Sequence, residues 1–374
     1  QKVNANFYTI DVGDESGVDR KAEGLRRKVP GSINQRELQR STHTVINFSQ
    51  SSSEKLLGEY AEALRGLSTG EVNWFIKYFW EVELPNEAWE YFQSDTSHTV
   101  PFGGREQVIF WENECGTIAR IAEELKHLNH AIQSWRRGKP NWGKTGVAVN
   151  LMGGLYATIF TGDKYSANIG VLIPKKSEDL GALWAYCSSD EFVSSIRSFN
   201  KKISVEPRYF EKALVDFELW RRETSSTLLP TKPYTNDPTQ WIFHGHPCGS
   251  VIWDEEKKWT AHGLLRSDET VLQVAVARLL GYRWPAELDT SMELADEQRE
   301  WVKRCDALAG YADDDGIVCI PPVRGEASAS DRLLNLLAAA YGDAWSNDTL
   351  AALLKSADHA GKTLETWLRE KFFT

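Results

Sequence analysis

No apolar run in this 374-residue chain approaches the length of a membrane span, and its first residues lack the charged-then-apolar layout of a signal peptide. No membrane role is expected from them. Cysteine is sparse: Cys115, Cys187, Cys248, Cys305 and Cys319 are scattered, odd in number and without C-x-x-C spacing. That pattern argues against both a disulfide framework and a structural zinc site, and it suits a reducing cytoplasm. Positive charge is in deficit. With a net charge of −10, any nucleic-acid role requires a local basic surface. There is no internal repeat and no low-complexity tract.

What is present is ordinary for a folded chain. The length allows two or three domains with substantial cores, and 41% hydrophobic with 26% charged residues is a globular composition. The unusual ingredient is 15 tryptophans. Aromatic-rich surfaces can bind sugars or stack on bases, but tryptophan more often fills large cores.

Residues 6–12 alternate like a strand, and 45–48 carry a second short strand signal. Leu56, Leu57, Tyr60, Ala61 and Leu64 fall at helical spacing, so a helix is expected over 54–65, with Gly66 placed to end it. From about 100 to 220 the texture is β-rich and loop-rich. Strand-like runs at 107–111, 146–150, 157–161 and 169–173 are separated by Gly, Pro, Asn and Asp. Helices are expected at 118–135, 180–187 and 190–199, and residues 229–240 read as a linker. Beyond Ser267 the chain reads as helical, over 269–280, 286–308, 327–341 and 348–373. The acidic balance sits there, with ten acids against three bases between Ala286 and Ile317.

Basic residues gather in the middle. Residues 135–144 hold Arg136, Arg137, Lys139 and Lys144 with no acid, interleaved with Trp135, Trp142 and glycines. Cations there would neutralise phosphates, which gives affinity without sequence readout; a solvated basic loop is the plainer alternative. Arg197, Lys201, Lys202, Arg208, Lys212, Arg221 and Arg222 form a second group, diluted by Glu206, Glu211, Asp216 and Glu218. A third candidate is the turn at 161–168, whose Lys164, Tyr165, Ser166 and Asn168 could reach phosphates or base edges.

The order of several motifs resembles a known family. Thr161-Gly162-Asp163-Lys164-Tyr165 is followed by Val171-Leu172-Ile173-Pro174, and then by Leu183-Trp184-Ala185-Tyr186-Cys187-Ser188-Ser189-Asp190-Glu191-Phe192. Next come Lys202-Ile203-Ser204-Val205-Glu206 and Asp237-Pro238-Thr239-Gln240-Trp241-Ile242-Phe243-His244-Gly245. Gly66 to Gly70, Gly103-Gly104-Arg105-Glu106 and residues 272–285 also fit. This series resembles the region after the catalytic domain in large single-chain adenine-N6 DNA methyltransferases of bacterial phage defence. The methyltransferase of the DISARM system is the best match; BREX methyltransferases and fused restriction–modification enzymes are more distant.

The resemblance implies double-stranded DNA as partner, a bacterial cytoplasmic setting and, through the acidic helices, contact with other phage-defence proteins. It also implies a target adenine flipped out of the stack for methylation. The full-length enzyme would use S-adenosylmethionine, and none is expected on this chain. Neither the Gly-rich cofactor loop nor the Asn/Asp-Pro-Pro-aromatic motif occurs: Pro321-Pro322 is flanked by Ile320 and Val323, and Phe102-Gly103-Gly104 lacks the glycine spacing. The chain is therefore expected to begin after the catalytic motifs, and both ends read as cut.

The expected fold is a mixed α/β (α+β) arrangement in three parts. Residues 1–65 would end a Rossmann-like methyltransferase domain, 66–235 would form a β-rich target-recognition domain, and 236–374 a linker and helical region. The expected DNA-binding residues are Thr69, Gly70, Arg105, Glu106, Arg136, Arg137, Lys144, Lys164, Tyr165, Asn168, Lys201, Lys202, Glu206 and Tyr209, with Glu206 able to accept from a cytosine amino group. A buried Arg105–Glu106 contact is the plainer alternative at that pair. His244-Gly245-His246-Pro247-Cys248 offers three ligand types, but alternate residues this close rarely complete a tetrahedral site, so no metal is expected. The competing class is a carbohydrate-binding or scaffold module with an aromatic-rich groove.

Overall fold

The computed structural model describes residues 6–10, 12, 15–34, 55–224, 237–254 and 259–372. The strand expected at 45–48 lies outside them. An N-terminal unit, β1 (Asn6–Thr9), α1 (Val18–Arg27) and β2 (Gly31–Asn34), pairs its two strands antiparallel. From residue 55 the order is β3 (Lys55–Leu56), β4 (Ala61–Arg65), α2 (Val72–Phe75), β5 (Ile76–Tyr78), β6 (Trp89–Gln93), β7 (Gln107–Phe110) and α3 (Thr117–Glu124). It continues through β8 (Gly146–Asn150), β9 (Ala157–Phe160), β10 (Lys164–Tyr165), β11 (Ile169–Pro174), α4 (Leu180–Cys187), α5 (Asp190–Phe199), β12 (Leu214–Val215) and α6 (Phe217–Thr224). The pair β13 (Val251–Asp254) and β14 (Trp259–His262) precedes a helical stretch. That stretch holds α7 (Thr270–Leu279), α8 (Pro285–Leu288), α9 (Asp296–Asp306), α10 (Ala329–Tyr341), α11 (Asn347–Ser356) and α12 (Leu364–Glu370). The class is α+β.

The central sheet has the order β4-β11-β8-β9, all antiparallel. Every residue of β8 and β9 is buried, so these strands read as continuous apolar runs rather than alternating ones. Both faces are covered. Val147 and Val149 point into a core with Leu183, Tyr186, Phe192 and Ile196 of α4 and α5. Ala148 points the other way, toward Phe160, Tyr165 and Val171. Helix α5 starts where the sequence says it should, with the Ser189 hydroxyl accepting from the Phe192 amide at 3.3 Å and acids in the first turn.

A second sheet, β10-β6-β7-β5, carries one parallel pairing, β10 on β6. Here alternation decides the packing. Ile109 of β7 faces a core with Phe75, Phe92 and Ile118, while its neighbour Val108 joins Phe79 and Trp80 in the core of the C-terminal helices, with Leu272, Trp284, Leu336 and Trp367.

Several expectations are corrected. The segment 54–65 is β-structure and a short turn, not a helix. Ala61 and Ala63 are buried while Glu62 and Leu64 are exposed, a period of two set by pairing with β11. Gly66 ends no helix; a Cβ there would lie 2.1 Å from the Ser166 carbonyl oxygen, so glycine permits a close chain crossing. The helix expected over 118–135 stops at Glu124, and Asn129 turns left-handed at φ 48°. The stretch 286–308 divides into α8 and α9, and 348–373 breaks between α11 and α12 at Asp358 (φ 53°) and Gly361 (φ 73°).

The expected linker is partly packed. Pro238, Thr239, Gln240 and Trp241 are buried, and Trp241 stacks on Phe102 at 3.6 Å between ring centroids. Residues 61–65 share a sheet with 169–174, and residues 79–108 share a core with 243–368, so packing runs across both expected domain boundaries.

Candidate nucleic-acid interface

The expected DNA-binding residues fall into three sets: inward-facing, partly neutralised, and open. Arg105, Tyr165 and Thr69, all expected to contact DNA, are instead turned inward. The Arg105 side chain is 1% exposed, donates to the Thr161 hydroxyl at 2.9 Å and the Ile159 carbonyl at 2.7 Å, and pairs with Asp163 at 3.3 Å. Its partner is Asp163, not the adjacent Glu106. Glu106 is half-buried, and burial raises its carboxyl pKa. Tyr165 is fully buried, accepting from Asn141 at 3.2 Å. Thr69 is buried, and Gly70 (φ 79°) is backed by the His130 ring, 2.9 Å from where a Cβ would stand.

The second set leads into the start of β8. Arg136 and Lys139 are exposed, but both pair with Glu114, at 3.6 Å and 2.5 Å. Glu114 is presented by three consecutive left-handed residues, Glu112 (φ 48°), Asn113 (φ 53°) and Glu114 (φ 65°). Such backbone costs of order 1–3 kcal/mol per residue and persists only where surroundings enforce it. Arg136 also lies 4.2 Å from the Trp135 ring. Lys164 is largely enclosed, ion-paired with Glu90 and held 5.5 Å from Trp111 and 5.2 Å from Trp142. Arg137 is exposed and donates to the Ser134 hydroxyl at 2.7 Å. Lys144 is exposed, with no ion-pair partner among the described residues.

The third set lies at the other end of β8. Residues 151–156 form the turn from β8 to β9, closed by the Asn150 amide on the Tyr156 carbonyl at 2.9 Å. Two neighbouring segments pack against it. The Leu151 amide donates to the Asn168 carbonyl, and the Val205 amide to the Leu151 carbonyl, both at 2.8 Å. Arg197 donates to the Gly153 carbonyl at 2.9 Å and also to the Lys202 carbonyl. Arg65 donates to the Ala167 carbonyl at 2.7 Å and pairs with Glu206 at 3.0 Å. The structure thus brings Asn168, Lys201, Lys202 and Glu206 together around one turn. Lys201 and Lys202 are exposed and have no ion-pair partner among the described residues. Tyr209 is half-buried against Phe199, with Arg208 and Lys212 over its ring. Arg221 does not contribute, because Asp179 clamps it at 2.7 and 2.8 Å.

Two further residues that the sequence pattern did not single out belong to this turn. Met152 is 50% and Tyr156 38% exposed, flanking the segment Gly153-Gly154-Leu155. An apolar pair around two glycines was the available signal, but strand context hid it.

Other candidate chemistry resolves into packing. His244 lies against Trp80 at 4.7 Å, and His246 against Trp301 at 5.2 Å, both between ring centroids. Burial holds both imidazoles neutral, His246 down to about 3, while burial pushes the Cys248 thiol up to about 12. Cys248 donates to the Ala340 carbonyl at 2.9 Å. The Gly103-Gly104 pair does not fit a cofactor loop. Its amide and carbonyl groups bond Thr158, Gln93 and Ser94, and a Cβ on Gly104 would meet the Ser94 carbonyl at 2.2 Å. Most tryptophan serves packing: Trp80, Trp111, Trp284, Trp301 and Trp367 are buried, Trp89, Trp142, Trp184, Trp220 and Trp345 are half-buried, and Trp74 is exposed.

The fold and site together describe an α+β chain with a glycine-punctuated turn flanked by cations, and no described helix is long and apolar enough to cross a membrane. Among solved structures, the chain is similar to the Type IIL restriction-modification enzyme MmeI in complex with DNA. It shares 10% identity and a TM-score of 0.26, over 89% of this chain and 39% of that one. A TM-score of this size does not define a shared fold. No family model and no curated protein matches the chain.

Proposed function

We propose that this chain binds double-stranded DNA and supplies target recognition for an adenine-N6 DNA methyltransferase of a phage-defence or restriction–modification system. Methyl transfer from S-adenosylmethionine would be performed by residues outside this chain, since its own glycine pair is engaged in packing. The observation that carries the reading is the grouping of Lys201, Lys202 and Asn168, all exposed, around the 151–156 turn. Arg197 lies beside them, held by backbone carbonyls, and Arg65 bonds the Ala167 carbonyl and pairs with Glu206. Ammonium groups free of acids are available to phosphates. Glu206 and Asn168 are the groups there able to read base edges, the carboxylate by accepting from a cytosine amino group and the amide by pairing with adenine.

The aromatic-groove alternative is less well supported, because Trp80, Trp111, Trp284, Trp301 and Trp367 pack inside. Salt titration of duplex affinity tests the reading. Each lost phosphate contact lowers the log–log salt slope by roughly 0.9, so Lys201→Ala with Lys202→Ala should lower it by roughly 1.8 and weaken binding to all duplexes alike. An unchanged slope in that variant rules the surface out.

A further inference from the structure

Resting on that DNA reading, we propose that the 151–156 turn is a rigid wedge that enters the duplex beside Lys201 and Lys202 and unstacks a base step with Met152 and Tyr156.

Three observations support a wedge rather than a loose loop. First, the turn is anchored from below. Leu151 and Leu155 are each 1% exposed and belong to the central core, so the side chains on either side of them are set outward by fixed neighbours. Second, the backbone is held in a costly shape. Leu155 has φ 55° and Gly153 φ 67°, and a branched residue in the left-handed region is unusual. Of order 1–3 kcal/mol is stored at such a position, and it persists because the surroundings enforce it. Third, the turn is braced on both flanks. The Asn150 side chain accepts from the Thr96 amide at 3.1 Å and donates to the Thr96 carbonyl at 2.7 Å, while Arg197 ties Gly153 to the 202 segment on the other side.

The chemistry at the tip is mixed in the way duplex entry requires. Met152 and Tyr156 are exposed and apolar in body, and no hydrogen bond fixes the Tyr156 hydroxyl among the described residues. The Tyr156 ring lies across the tip over Gly154, where a Cβ would sit 2.5 Å from it, so glycine leaves the ring room there. Side-chain-free backbone makes the tip thin. Apolar side chains inserted between base pairs unstack them, and flanking cations offset that cost by holding the adjacent phosphates. Charge complementarity selects the occupant: Arg65, Arg197, Lys201, Lys202 and Arg208 lie on the segments around the tip, against Glu206 and Asp95.

Permanganate oxidises thymines that have lost their stacking partners, so its footprint reports unstacking without knowledge of the recognised sequence. The whole chain is bound to a mixed-sequence duplex pool, and affinity, salt slope and thymine reactivity are read together. The expected result is enhanced reactivity with the native chain. It should return to the free-duplex level in Met152→Ser with Tyr156→Ser while the salt slope stays unchanged. Tyr156→Phe and Met152→Leu, which keep the apolar bodies and guard against a folding defect, should retain the enhancement. Steep, salt-dependent binding with no enhancement in the native chain overturns the wedge and leaves DNA recognition standing. So does loss of the enhancement in the Phe and Leu variants. Absence of any duplex binding overturns both. Binding of anionic lipid vesicles in place of duplex, abolished by the same serine substitutions, assigns the tip to a membrane surface and overturns the wedge.

Discussion

The two ends of β8 carry similar numbers of cations and treat them differently. Before the strand, Arg136 and Lys139 converge on Glu114, and Lys164 is enclosed by Glu90, Trp111 and Trp142. After it, Lys201 and Lys202 have no ion-pair partner among the described residues, and Arg197 bonds the Gly153 and Lys202 carbonyl oxygens. Five residues of strand separate the two ends, roughly 17 Å at about 3.3 Å each. A run of basic residues is therefore not a basic surface. What decides is whether acids and aromatic faces already occupy the charges: at the near end they hold Arg136, Lys139 and Lys164 and leave Arg137 and Lys144 open, whereas at the far end Lys201, Lys202 and Arg197 all stand clear of acids.

The largest expected effect falls between the two ends. Arg105 bonds Thr161 and Asp163, in the return from β9 to β10, and its side chain is buried. Arg105→Met should cost about 3–5 kcal/mol of stability, because it strands a carboxylate and a carbonyl that the guanidinium satisfies. Denaturant unfolding would read this as a lower midpoint. Duplex affinity of the folded variant should be unchanged, and a selective loss of affinity would return Arg105 to the interface.

Next in size is a direct contrast between the ends. Lys201→Ala with Lys202→Ala should weaken duplex binding on the order of tenfold or more at physiological salt, as expected for two lost phosphate contacts. Arg136→Ala with Lys139→Ala should do much less, because each already faces Glu114. Equal losses and equal changes in salt slope from the two pairs would erase the distinction and argue for one continuous track.

How far the sequence revealed this arrangement differs by element. Strands β8 and β11 and helices α4 and α5 were legible because periodicity and capping agreed: Ser189 before Asp190-Glu191 is a local start signal with a physical cause. Residues 55–65 misled because Leu57, Ala61 and Leu64 fit a helix by spacing alone, while the deciding partner, β11, lies about a hundred residues away. The cationic turn was half legible. Lys201 and Lys202 could be named from charge, but that they meet Asn168 and Met152 depends on backbone bonds from Leu151 to Asn168 and Val205. Arg105 was misplaced for the same reason. A buried arginine and an exposed one look alike until Asp163 is seen beside it.

The smallest expected effect is the most discriminating. Glu114 occupies both Arg136 and Lys139, so Glu114→Gln would free two cations without adding any. If free charge rather than charge count sets affinity, this single change should raise binding to mixed-sequence duplex by about two- to threefold at low salt and by nothing measurable at high salt, because exposed charges are screened. At physiological salt, where the screening length of about 8 Å is shorter than the separation of the two ends, whatever gain remains should persist in a chain that also carries Lys201→Ala and Lys202→Ala, since the ends share no partner. A loss of affinity would mean that the left-handed turn at 112–114 is itself a contact, presenting Glu114 to a base edge rather than quieting its neighbours. The strain in that turn would then serve recognition at the near end of β8, and the asymmetry drawn between the two ends would be reversed.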